Sequence, residues 1–299
     1  MLLEHPVIFF GGKGGVGKTT LAAATALSLD DALLVSTDPA HNIGHVFDVP
    51  VGDEPTKLRE GLYAVEIDPT ATTDAHIKRV EHTMRQYTPE RLHRQIRAHM
   101  DLARTSPGMH EAAMLERIAQ IVINSEHKHV VVDTAPTGHT TRLLALPELM
   151  SAWVDGLLGR RGQSERFGEL VRGLGGEDPI RRRDEEIRHV LNRRKQLFGS
   201  FRDLIKDPDK TAFALVTIPE RVPVTESLEL AGALHQMGVH LGGIYINRCS
   251  PTDQGPLLAE RAHEEAAQIG RLEGIKVAQQ KLPLLADASP KRVAELLRA

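Results

Sequence analysis

The chain has 299 residues, 41% hydrophobic and 26% charged, with a formal net charge of −3. So small a charge gives no electrostatic case for nucleic acid or an anionic membrane as partner, and 4% aromatic residues leave little for base stacking. The single Cys249 excludes an intrachain disulfide, a four-cysteine zinc site and an iron–sulfur cluster held by one chain.

The start, Met1 to Pro6, lacks the basic flank and small-residue cleavage site of a secretory signal, and no apolar run reaches the ~18 residues of a membrane span. A cytoplasmic protein is therefore expected. In chain order, Val7–Phe10, Leu33–Ser36, Ala64–Ile67, Val130–Val132, Ala212–Ile218 and Leu241–Ile246 are short, nearly continuous apolar runs. Strands apolar on both faces belong to a parallel sheet covered by helices on both sides. The expected fold is α/β, a doubly wound, mostly parallel sheet. Two long intervals break the rhythm. The first carries helical periodicity at Ile77, Val80 and Met84 and again at Leu92, Ile96, Met100 and Ala103; the second does so from Ile187 to Ile205. Insertions at about 70–125 and 145–208 are expected to form a helical subdomain within a single domain spanning residues 1–299. The Gly- and Arg-rich stretch Gly159–Arg183 reads as a loose loop.

The strongest local signal is Gly12-Lys13-Gly14-Gly15-Val16-Gly17-Lys18-Thr19, a G-x-x-x-x-G-K-[ST] phosphate loop directly after the first strand. Its glycines let backbone N–H groups converge on phosphate oxygens, and the next helix adds its positive dipole end. Candidate nucleotide contacts are Gly12, Gly14, Gly15, Val16, Gly17, Lys18, Thr19 and Thr20. Lys18 suits the β- and γ-phosphates, and the Thr19 hydroxyl suits Mg²⁺. After the second strand comes Ser36-Thr37-Asp38-Pro39-Ala40-His41-Asn42, and after the fourth Asp133-Thr134-Ala135-Pro136-Thr137-Gly138-His139-Thr140. Both aspartates lie where open α/β sheets place ligands. Asp38 suits orientation or deprotonation of an attacking water, and Asp133 suits magnesium held through its water shell.

These three strings closely resemble the arsenite-pump ATPase family, which also contains the targeting factor for tail-anchored membrane proteins. Further resemblance lies in Ser106-Pro107-Gly108-Met109-His110-Glu111-Ala112, Val216-Thr217-Ile218-Pro219-Glu220, Ile246-Asn247-Arg248 and Leu282-Pro283-Leu284. The resemblance implies a Mg²⁺-dependent ATPase with a deviant Walker A loop, working as a homodimer. Lys13, the signature lysine, would reach the partner's ATP; Asn247 and Pro283 would lie on the adenine side. It also implies an apolar groove for a transmembrane segment, for which Met84, Met100, Met109 and Met114 are candidates.

Two departures matter. Metalloid capture needs three soft thiolates, and the eukaryotic targeting branch holds zinc with a C-x-x-C pair; one cysteine supplies neither, so no zinc is expected. His110 also replaces an acidic residue of the family's segment. The leading expectation is targeting of a hydrophobic membrane-protein segment. The alternatives are an ATPase subunit of a metalloid efflux pump and a nucleotide-dependent positioning dimer. Of the histidines that could offer metal ligands, His41 with His45 and His127 with His129 are the closely spaced pairs.

Overall fold

A computed structural model describes residues 2–38, 42–86, 90–104, 108–135, 144–146, 148, 150, 155 and 179–298. The chain divides into two units, one of residues 1–68, 125–142 and 204–299, the other of residues 69–124 and 143–203.

The first unit is built on an eight-stranded sheet. Its strands are β1 (Val7–Gly11), β2 (Ala32–Ser36), β3 (Thr56–Arg59), β4 (Leu62–Glu66), β5 (His129–Asp133), β6 (Thr211–Thr217), β7 (Leu241–Cys249) and β8 (Gln279–Pro283). They lie in the order β3-β4-β2-β5-β1-β6-β7-β8. Every neighbouring pair is parallel except β3 with β4. The central strands β1, β2 and β6 are buried at every position, as their unbroken apolar runs require. The edge strands β3 and β8 are new relative to the sequence expectation. Their sequences, Thr-Lys-Leu-Arg and Gln-Gln-Lys-Leu-Pro, are half-solvated, so they carry the polar character that keeps a sheet edge from pairing further.

Helix α1 (Lys18–Leu27) follows β1 through the phosphate loop. Its Ala22, Ala23, Ala24 and Ala26 are wholly buried, small enough for close approach and good helix formers. Ser28 Oγ donates to the Ala24 carbonyl at 2.9 Å and closes its end. The unit also contains α2 (Asn42–Phe47), α7 (Arg221–Gln236), α8 (Pro256–Gly270) and α9 (Pro290–Arg298). Helix α9 packs on α1 with Val293 and Ala294 buried.

The second unit holds α3 (Pro69–Gln86), α4 (His93–Arg104), α5 (Met109–Ile123) and α6 (Pro179–Lys206) as far as Asp203. On the α3–α5 seam, His76 Nδ1 lies 3.0 Å from Glu116 Oε2, and Arg194 of α6 reaches the same oxygen at 3.5 Å. Burial works against the Glu116 carboxylate, but the close approach of His76 and the Arg194 charge outweigh it and hold its pKa below the usual value. His110 bonds Thr73 Oγ1 at 2.8 Å, while that hydroxyl donates to the Pro69 carbonyl at 2.7 Å. One hydroxyl hydrogen cannot serve both, so His110 Nδ1 is the donor to Thr73.

The loose stretch expected at Gly159–Arg183 is corrected at its end: from Pro179 the backbone is helical, as part of α6. Residues 159–178 lie outside the described residues. Among the described residues no helix is long and apolar enough to cross a membrane.

Candidate functional site

The phosphate loop leaves β1 at the middle of the sheet and returns directly into α1. Two of its glycines are demanded by the fold. Gly12 has φ 152°, and a Cβ there would lie 2.1 Å from the Val216 carbonyl oxygen of β6. Gly17 has φ 99° at the N-terminus of α1, and its Cβ would sit 2.4 Å from Asn247 Nδ2. Val16 is buried between them, whereas Gly14 and Gly15 are exposed at the loop tip.

Lys18, only 5% exposed, donates from Nζ to the Lys13 carbonyl at 3.0 Å, which fixes it beneath the loop. Burial lowers its pKa, and the nearby carboxylates of Asp133 and Asp38 oppose that by favouring the ammonium. Thr19 Oγ1 donates to Asp133 Oδ2 at 2.6 Å, and Thr20 follows half-buried in the first turn.

Asp133 ends β5, paired with Phe10 on one side and Ser36 on the other. It is fully buried, and its Oδ1 has no hydrogen-bond partner. Burial pushes its pKa up to about 7; the Thr19 hydrogen bond and Lys18 pull it down, and Asp38 and Glu66 add to the rise. The residues beyond it lock neighbouring strand ends together. Thr134 Oγ1 donates to the Phe10 carbonyl at 2.7 Å, and the Ala135 N–H to Thr37 Oγ1 at 3.2 Å. Asp38, half-buried, follows β2, and its N–H donates to Ser36 Oγ at 3.2 Å. Thus Lys18, Thr19, Asp38 and Asp133 converge at the C-terminal ends of the adjoining strands β1, β5 and β2. Residues 39–41 and 136–143, which complete the two strand-end motifs and include His41, lie outside the described residues, as do 106 and 107 of the Ser-Pro-Gly segment.

Lys13 points elsewhere. Its Nζ donates to Glu226 Oε1 of α7 at 2.8 Å, a partner the sequence did not signal. Asn247, half-buried near the end of β7, donates from Nδ2 to the Val16 carbonyl at 2.9 Å and accepts the Arg248 N–H at 3.0 Å. One N–H and one lone pair of its amide stay available for a base edge. Pro283 is exposed at the end of β8 and pairs in register with Cys249. Cys249 is half-buried, and burial raises its pKa above that of a free thiol.

An acid that the motifs missed is Glu66, 3% exposed at the end of β4. A carboxylate closing an apolar strand was its signal. Of the histidines, His127 pairs with Asp31 at 2.7 Å and His129 Nδ1 with the His5 carbonyl at 3.1 Å, so they are not a ligand pair. Among the described residues no group of three or more His, Cys, Asp or Glu is placed to hold a metal.

Comparison with known proteins agrees with this geometry. The family model described as anion-transporting ATPase (ArsA) matches residues 5–287. A putative arsenical pump-driving ATPase 2 of Aquifex aeolicus is 32% identical over 289 residues, covering 93% of this chain and 92% of its own. The ATPase ASNA1 homolog of Dictyostelium discoideum is 33% identical, covering 81% of this chain and 71% of its own. ATPase GET3A of Arabidopsis thaliana is 31% identical, covering 83% and 68%. With a phosphate loop at the centre of a doubly wound sheet and a match over nearly its whole length, the chain belongs to the anion-transporting (ArsA-type) ATPase family and is an ATPase.

Proposed function

We propose that this ATPase is a homodimeric, Mg²⁺-dependent nucleotide switch that captures a hydrophobic membrane-protein segment. The observation that carries the switch is the convergence of Lys18, Thr19, Asp38 and Asp133 at the C-terminal ends of three adjoining central strands, with Lys13 turned aside onto Glu226. In this reading the loop from Gly12 to Thr20 cradles the phosphates, and Lys18 neutralises charge developing on the β- and γ-oxygens. Asp38 orients the attacking water and accepts its proton. Lys13 leaves Glu226 and completes the partner's site. Asn247 and Pro283 border the adenine.

The residues fit magnesium. Asp133 presents a buried oxygen without a partner beside the Thr19 hydroxyl, and hard oxygens are what this ion selects. Thr19 would ligate it directly and Asp133 through water, and its charge would screen the phosphate oxygens against the nucleophile. So few protein ligands suit an ion that usually keeps its waters and shares phosphate oxygens.

The insertions at about 70–125 and 145–208 serve as the client-binding part of a single ATPase domain. Met84 (43% exposed) and Leu102 (71% exposed) present apolar surface there, which supports a hydrophobic client. Met100 and Met114 belong to the core of that unit and do not add to a groove. A metalloid-pump role is the second reading, favoured by the name of the Aquifex relative and opposed by the single cysteine. The test is to present the ATP-loaded protein with a tail-anchored segment and, separately, with arsenite. Nucleotide-dependent capture of the segment with arsenite-independent turnover is expected; arsenite-stimulated turnover without capture would replace this reading by the second.

A further inference from the structure

We propose that Glu66 is a positioning residue for Asp38, acting through the first turn of α2. This rests on the reading of Asp38 as the water-orienting group.

Glu66 is 3% exposed and ends a strand whose other residues are apolar or aromatic. A carboxylate so deep in the protein is costly, and an apolar residue of similar size would serve the core better. Its partners show what the cost obtains. Oε1 accepts the backbone N–H of Ile43 at 2.6 Å, a charge-assisted bond to a donor that the helix itself leaves unused. Oε2 lies beside Gly44, where an added Cβ would meet it at an ordinary contact distance of 3.6 Å. Glu66 is itself fixed. Its backbone pairs in register with Ser36 of β2, its N–H donates to the Gly52 carbonyl at 2.8 Å, and the Ile67 N–H donates to the Ser36 carbonyl at 3.0 Å.

Asp38 therefore lies between two anchors, one on β5 and one on β4, the two neighbours of β2. Before it, the Thr37 N–H donates to the Asp133 carbonyl at 2.9 Å, and Ser36 Oγ accepts the Asp38 N–H. After it, Ile43 is tied to Glu66. Loss of the second anchor releases the start of α2 from β4, five residues after Asp38. Misplacing a group that orients water by about 1 Å can cost about 10²-fold in rate while leaving nucleotide binding intact.

The test compares Glu66→Ala, Glu66→Gln and Asp38→Asn in steady-state turnover and in binding of a fluorescent ATP analogue. Glu66→Gln keeps an acceptor for Ile43. The expectation is that Glu66→Ala lowers kcat by about 10- to 100-fold, that analogue Kd stays within about threefold, and that Glu66→Gln restores kcat to within about threefold of the parent. Unchanged kcat in Glu66→Ala, equal losses in Ala and Gln variants, or loss of analogue binding in step with kcat would each overturn the proposal. Should Glu66→Ala fail to fold, Glu66→Asp, one methylene too short for Ile43, replaces it with the same expected loss; parental turnover there overturns the proposal. Asp38→Asn separates the two ideas. If it retains turnover, the assignment of Asp38 fails; if it is inactive while Glu66→Ala is active, only the role of Glu66 fails.

Discussion

Lys13 Nζ donates to Glu226 Oε1 at 2.8 Å across 213 positions of the chain, and the two side chains keep 35% and 32% of their surface exposed. A pair that open is worth only about 0.2–1 kcal/mol, so it holds the lysine in place without trapping it. In the proposed dimer Lys13 must exchange this carboxylate for a phosphate. Lys13→Ala is expected to lower kcat by about 10²- to 10³-fold, as loss of a transition-state donor does, with thermal stability unchanged. Glu226→Gln, which weakens the hold on the lysine, is expected to leave kcat within about threefold. Steady-state turnover beside a thermal melt of each variant checks both values.

Asp38→Asn removes the proposed proton acceptor and keeps the shape of the side chain. Turnover is expected to fall by at least about 10²-fold while binding of an ATP analogue is retained. Single-turnover kinetics with saturating enzyme isolate the chemical step.

Thr19 and Asp133 form one oxygen pair, 2.6 Å apart, at the base of the loop. Thr19→Ala removes the hydroxyl and leaves Asp133 fully buried with both oxygens unpartnered. The magnesium concentration for half-maximal turnover is expected to rise by about tenfold or more, and chelation should abolish turnover of the parent protein. A magnesium titration at fixed ATP reads the shift directly.

The helical unit has its own acid dependence. The folded pKa of Glu116 is depressed, so its stabilisation is complete above the usual carboxylate range near 4.3 and is lost as pH falls through the lower folded value. Glu116→Ala is expected to cost about 2 kcal/mol at pH 7. This is less than the ~3–5 for breaking a fully buried pair, because Arg194 keeps 22% exposure. Urea midpoints of the two proteins at pH 7 and pH 3 should converge on acidification.

Much of the sheet was legible in sequence because β1, β2, β5 and β6 are apolar on both faces, a pattern that needs no knowledge of neighbours. The edge strands were not, since Thr56–Arg59 and Gln279–Pro283 owe their structure to pairing with β4 and β7 rather than to their own composition. The phosphate loop announced itself because Gly12 and Gly17 meet Val216 and Asn247 too closely for any side chain. Contacts such as Lys13 with Glu226, Glu66 with Ile43 and Thr73 with His110 join residues far apart in the chain, and no local pattern encodes them. The methionines show the limit of periodicity: the same helical spacing put Met100 in the core and left Met84 at the surface.

The proposed sharing of active sites between two chains is tested most directly by measuring turnover per chain against protein concentration, with particle mass recorded on the same samples in ATP and magnesium. Activity should follow the fraction of dimer and vanish as the chain becomes monomeric. A monomer that hydrolyses ATP at the full rate of the concentrated protein would contradict the account.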